Sequence, residues 1–200
     1  MFSIISSMIL AGGNYKTKVK SSIDSLKSAK SDSLMSEVLY KSMTDSVFPD
    51  WMGTPWDFNG ISNVPRQGMI ACGYFVSTTL KHIGFNLNRY KMAQQAAAVV
   101  INILCGEGKV QFTNKSSVIN ALKLNGNNRL YVVGLDFHVG FLAVEYGEVY
   151  FIHSDYYLGK VVKEVASKSV SFASTNTYVF GEITNNAVLF NKWKNGIKVY

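Results

Sequence analysis

Disulfide frameworks, structural zinc sites and membrane spans are all absent from the pattern of this 200-residue chain. Its two cysteines, Cys72 and Cys105, form neither a C-x-x-C pair nor a multi-cysteine array, which excludes a stapled scaffold and a zinc knuckle. No run approaches the roughly 18 apolar residues needed to cross a bilayer, so no membrane span is expected. The three prolines all fall within the stretch 49–65 and mark one loop region. Arginine-rich stripes and helix-turn-helix or zinc-finger patterns are also missing. The net charge of +7 would suit a polyanion, but the densest lysines (Lys16, Lys18 and Lys20; Lys192, Lys194 and Lys198) read as solvated surface, and nucleic-acid binding is disfavoured. Histidine is scarce too. With only His82, His138 and His153, the position of each is informative.

What is present is ample for a core: 48% hydrophobic and 13% aromatic residues suit a single globular domain. The opening "MFSIISSMILAGG" has an apolar stretch followed by small residues, yet no Lys or Arg precedes it and three lysines follow, the reverse of a secretory signal. Export and a hydrophobic segment packed on the domain both stay open. From Lys18 to about Ser46, Ile23, Leu26, Leu34, Val38 and Leu39 recur at helical spacing, broken at Ser-Asp-Ser, and predict one or two amphipathic helices. The stretch "PDWMGTPWDFNGISNVPRQG" predicts an ordered loop pinned by its aromatics, the kind of segment that walls a binding site. Helices are expected over Cys72–His82, stopped by Gly84, and from about Arg89 to Leu104, stopped by Gly106, with Cys105 a buried, inert thiol. A short helix in "TNKSSVINALKL" follows. After it the pattern turns to strands: "RLYVVGLD", "HVGFLAVEY", "EVYFIHSDYY", "KVVKEVA", "YVFGEIT" and a final "WKNGIKVY". Helices first and an antiparallel sheet afterwards predict an α+β domain.

Cys72 falls where a loop becomes a helix, and the partial positive charge of a helix start together with a nearby imidazole would lower a thiol pKa and arm a nucleophile. Both candidate imidazoles lie in the predicted sheet. A two-residue turn at Tyr146-Gly147 would set His138 opposite Asp155 and put His153 on the same face, roughly 7–8 Å away along the diagonal. His138 would then act as the base, oriented by His153 or, alternatively, by the carboxylate of Asp155.

Four segments in this order resemble the NlpC-like cell-wall cysteine peptidases: "GTPWDFNG" at Gly53–Gly60, "ACGYFV" at Ala71–Val76, "HVGF" at His138–Phe141 and "FIHS" at Phe151–Ser154. The resemblance implies a papain-like fold, with residues 51–200 as the catalytic core and 1–50 as a helical segment packed on it. It implies a cysteine hydrolase using Cys72 as nucleophile, His138 as base and His153 as third member, with the Cys72 backbone N–H holding the oxyanion. Gln67, Trp56 and Trp51 are the expected oxyanion or substrate contacts. No metal or cofactor is expected. The implied substrate is a peptidoglycan stem peptide, cut at a γ-D-glutamyl to diamino-acid bond, in the cell envelope or outside the cell. Two departures stand out. Trp56 replaces the family's loop tyrosine, and Ala71 replaces the acidic residue before the cysteine. Hydrolysis or transfer of another acyl group, and a catalytically silent binding module on the same fold, are the alternatives.

Overall fold

The computed structural model describes residues 2–200, with side chains from Tyr15 onward; the apolar opening stretch 1–13, with its choice between export and packing, falls outside the described side chains. No described helix is long and apolar enough to cross a membrane.

Helices come first. The chain opens with α1 (Phe2–Ser28), breaks where the sequence places Ser-Asp-Ser, and restarts at α2 (Asp32–Lys41), whose N-cap Ser31 accepts a hydrogen bond from the Leu34 N–H. α2 runs on through a π-helical turn (Ser42–Val47) into α3 (Phe48–Trp51). After the loop come α4 (Cys72–His82), α5 (Arg89–Ala93) and α6 (Ala97–Cys105). The remainder alternates strands with short helices: β1 (Lys109–Phe112), α7 (Lys115–Leu124), β2 (Arg129–Gly134), β3 (Val139–Glu145), β4 (Glu148–Asp155), β5 (Lys160–Val165), α8 (Val170–Ala173), β6 (Tyr178–Glu182) and α9 (Ala187–Lys194). The six strands form one antiparallel sheet in the order β1-β6-β2-β3-β4-β5, the α+β arrangement expected.

Strand alternation divides the core in two. Leu130, Val132, Phe141, Ala143, Ile152 and Val161 face α1–α6 and α9, where the N-terminal helices share one apolar cluster with α4 through Phe48, Trp51 and Phe75. Phe141 sits at the centre of that contact, its ring centroid 4.9 Å from Phe48 and 5.9 Å from Phe75, and this fixes α4 against β3. Tyr131, Val133, Leu142, Val144 and Phe151 face the opposite side, under α7 and α8.

Three segments differ from expectation. The final "WKNGIKVY" is not a strand: Trp193 and Lys194 end α9, and the tail beyond is held by Val199 N–H on the Asn86 carbonyl. The expected helix over 89–104 breaks at residues 94–96. At that break Gly73 lies so close to Ala93 that a Cβ would sit 2.5 Å from its carbonyl oxygen, and a Cβ on Gly134 would sit 2.9 Å from the Ala97 carbonyl carbon. α5 therefore packs on α4 while α6 turns to the sheet, a tertiary demand that no local breaker announces. Strand β1, "KVQF", was also unforeseen; it owes its extended state to pairing with β6.

Candidate active site

The loop 52–71 aims α4. Gly53 N–H donates to the Val161 carbonyl, Val161 N–H to Thr54 and Trp56 N–H to Gly159, stitching the loop to the free edge of β5. The loop then folds back on itself, Ala71 N–H donating to the Gly60 carbonyl at 2.8 Å. Gly60 is required there, since a Cβ would lie 2.6 Å from the Ile70 backbone nitrogen. Arg89, buried with no carboxylate partner among the described residues, holds the same loop from the other side. Its guanidinium donates to the carbonyls of Ile61 and Ser62 and to Thr78 Oγ1 of α4, at 2.7–3.1 Å. The helix that follows starts at Cys72 with Ala71 as N-cap, which has no side-chain oxygen to accept the first-turn N–H groups; α2, α5, α7, α8 and α9 each have a Ser or Asn doing so. Two of those donors, the Cys72 and Gly73 N–H groups, turn to the Cys72 sulfur instead.

The histidines meet as the hairpin register requires. Tyr146 and Gly147 both take positive φ, 51° and 76°, the two-residue turn of a tight hairpin, and Glu145 pairs with Glu148, Leu142 with Phe151 and Phe141 with Ile152. Counting back puts His138, just ahead of β3, diagonal to His153 in β4. Their rings touch: His138 Nε2 lies 2.8 Å from His153 Nδ1. Gly140 makes room, because a Cβ there would lie 2.9 Å from the His153 Cβ. His153 is wholly buried and stacks on Phe151 with centroids 3.8 Å apart. Its other nitrogen, Nε2, lies 3.1 Å from Oε1 of Glu164 in β5.

One assignment of tautomers joins these contacts into a relay. The His153 N–H holds the Glu164 carboxyl below the usual carboxylate range, so it is an acceptor and His153 Nε2 carries hydrogen. In a neutral His153 ring Nδ1 is then an acceptor, which makes His138 Nε2 the donor and leaves the lone pair on His138 Nδ1. Burial, with the neighbouring His153, pushes the His138 pKa down to about 3, so the ring is a neutral base at physiological pH.

Cys72 and His138 line one cleft of about 480 Å³, with Trp56, Phe58, Tyr74, Phe137 and Tyr156 among its walls. Contrary to expectation, the thiol pKa is raised. Burial outweighs the Val139, Gly73 and Cys72 N–H groups, which favour the thiolate. The resting pair is thiol and imidazole, and a thiolate has to be generated by proton transfer. Cys105 is buried, its pKa raised to about 12 by burial, and its Sγ lies 3.8 Å from the Glu182 carbonyl oxygen.

The other expected residues divide. Trp56 lines the cleft. Trp51 does not: it ends α3 fully buried, with its indole N–H donated to Tyr15 Oη at 2.9 Å, so it cannot touch a substrate. Gln67 is exposed in the Val64–Gln67 turn and lies outside the cleft lining, which removes it as an oxyanion donor. Asp155 shares the histidines' face but is occupied by the Ser171 hydroxyl and the N–H groups of Tyr157 and Leu158. Glu164 was not foreseen. Among the described residues, His153, Asp155 and Glu164 bring one ligand atom each within 4.8 Å of one another, but both imidazole nitrogens and both carboxylates already have partners within the protein, and a metal ion would have to displace them.

Comparison with known protein families, curated proteins and solved structures finds no match to this chain.

Proposed function

We propose that this protein is a cysteine hydrolase that cleaves an acyl bond through a thioester on Cys72. The observation that carries the reading is the Glu164–His153–His138 chain, whose far end, His138, lines the same cleft as Cys72. The Cys72 thiol passes its proton to His138 Nδ1 as Sγ attacks the carbonyl carbon. The His138 imidazolium then donates through its Nε2–H to His153, and that proton on Nδ1 goes to the leaving amine or alkoxide. Water, deprotonated by the same ring, releases the acid. The Cys72 backbone N–H, at the uncapped start of α4, is the donor proposed for the developing oxyanion.

A nucleophile at a helix start with its base on a sheet is the papain-like plan, and the resemblance to NlpC-like peptidases directs the reading to a peptide amide of the bacterial cell wall, in the envelope or outside the cell. Incubating the protein with purified peptidoglycan, and separately with an activated acyl ester, followed by mass spectrometry of fragments and of the intact protein, tests this. The expected result is an acyl adduct on the Cys72 peptide, or new stem-peptide termini, abolished in Cys72→Ala. Turnover unchanged in Cys72→Ala would end the reading.

A further inference from the structure

The cleft carries no charge to match a charged substrate. In a chain with 20 lysines and arginines against 13 acids, none of the side chains lining it is Lys, Arg, Asp or Glu. Its walls are Trp56, Phe58, Ile61, Tyr74, Phe137 and Tyr156, and its polar members besides Cys72 and His138 are the neutral amides Asn59 and Gln94. Nearby charges are already partnered: Asp57 accepts from the Asn59 N–H, Asp136 from the Asn176 N–H, and Arg89 donates to Ile61, Ser62, Thr78 and Tyr90. Apolar surface is left open at the mouth, with Phe137 98%, Phe58 79% and Ile61 50% exposed. Side chains of that size are seldom presented together unless something apolar covers them.

We infer that the acyl group taken by this site is uncharged and apolar, an aliphatic or aromatic acyl chain in ester, thioester or amide linkage. The inference rests on the acyl-hydrolase reading and sets an apolar acyl group in place of the cell-wall peptide that the resemblance implies. A γ-D-glutamyl donor carries a free α-carboxylate, which this cleft would desolvate with no cation to pair it. An alkyl or aryl chain would instead lie across Phe58, Phe137 and Tyr156 with its carbonyl carbon at Cys72 Sγ. The cleft's volume of about 480 Å³ is within the range of small-molecule sites.

The test compares p-nitrophenyl acetate, butyrate and hexanoate with the p-nitrophenyl monoester of adipic acid, which has the hexanoyl chain length and a terminal carboxylate. Rates are taken above the Cys72→Ala background, and iodoacetamide labelling of Cys72 against Cys105 is followed in parallel. Expected is a rise in kcat/KM of about fourfold per methylene from acetate to hexanoate, with the adipyl ester on the order of 100-fold below hexanoate. Phe137→Ser, at a fully exposed position, should flatten the rise. Equal turnover of the adipyl and hexanoyl esters, or preferential cleavage of peptidoglycan, overturns the inference and leaves the acyl hydrolase standing. So does rapid labelling of Cys72 without turnover of any ester. Absence of turnover together with Cys72 labelled no faster than Cys105 overturns the hydrolase reading itself.

Discussion

Glu164→Ala removes the anchor of the proposed proton relay while leaving both histidines and the cysteine in place. Glu164 Oε1 is 3.1 Å from His153 Nε2, and its side chain is about one quarter exposed, at 25%. Without the carboxylate nothing obliges His153 to keep its hydrogen on Nε2. If the hydrogen moves to Nδ1, His138 must present Nε2 as acceptor, carry its own hydrogen on Nδ1, and lose the lone pair that takes the thiol proton. A hydrogen bond to an ionised group is worth about 1.5–3 kcal/mol net, which as lost transition-state stabilisation corresponds to roughly 10- to 150-fold in kcat/KM. Glu164→Gln, whose carbonyl can still accept from Nε2–H without charge, should fall between. Two measurements are needed: kcat/KM on an activated ester, and the nitrogen-15 shifts of the imidazoles, which report the tautomer whatever the substrate. Wild-type shifts for His138 in Glu164→Ala, with undiminished kcat/KM, would refute the relay.

The chain Trp51–Tyr15–His82–Asn63, buried at its Trp51 and Tyr15 end, predicts acid sensitivity: Tyr15 Oη lies 2.8 Å from His82 Nδ1, and burial, with Arg89 and Lys81 adding to it, lowers the His82 pKa to about 4. Since the folded pKa is below the unfolded value, the unfolded chain binds the extra proton, and stability present above about pH 6.5 is lost as the pH falls toward 4. His82 alone should contribute about 2 kcal/mol after allowance for its partial exposure, read as a lower urea midpoint at pH 4.5 than at 7.5; equal midpoints would contradict this. Arg89→Met should cost about 3 kcal/mol, because the Ile61 and Ser62 carbonyls lose their donors. Thermal unfolding should shift down by roughly 6–12 °C, and an unchanged Tm would mean that the loop holds itself.

Much of the site follows from one turn. Tyr146-Gly147 at a two-residue hairpin sets the register, and the register alone puts His138 and His153 on one face, as found. Cys72 at the head of α4 was legible from the loop before it and Gly84 after it. Glu164 was not, because in "KVVKEVA" it looks like an ordinary solvent-facing strand residue. Its signal lay in the next hairpin: Asp155 pairs with Lys160 and Phe151 with Glu164, which makes Glu164 diagonal to His153 just as His138 is. The thiol pKa was misjudged because helix-start polarity can be read from sequence whereas burial cannot. Trp51 was misplaced for a related reason: an aromatic beside a glycine-rich loop looks available, but here it closes a helix whose apolar face is core. The break between α5 and α6 needs Gly73 and Gly134 in three dimensions before it has a cause.

The proposed mechanism requires Cys72 to be activated by His138 and no other group. Alkylation by iodoacetamide at neutral pH, followed by peptide mass spectrometry in the wild type and in His138→Ala, measures that directly. Cys72 should react far faster than Cys105 in the wild type and fall toward the Cys105 rate in His138→Ala. Slow, equal labelling of the two thiols, or a Cys72 rate indifferent to loss of the imidazole, would contradict it.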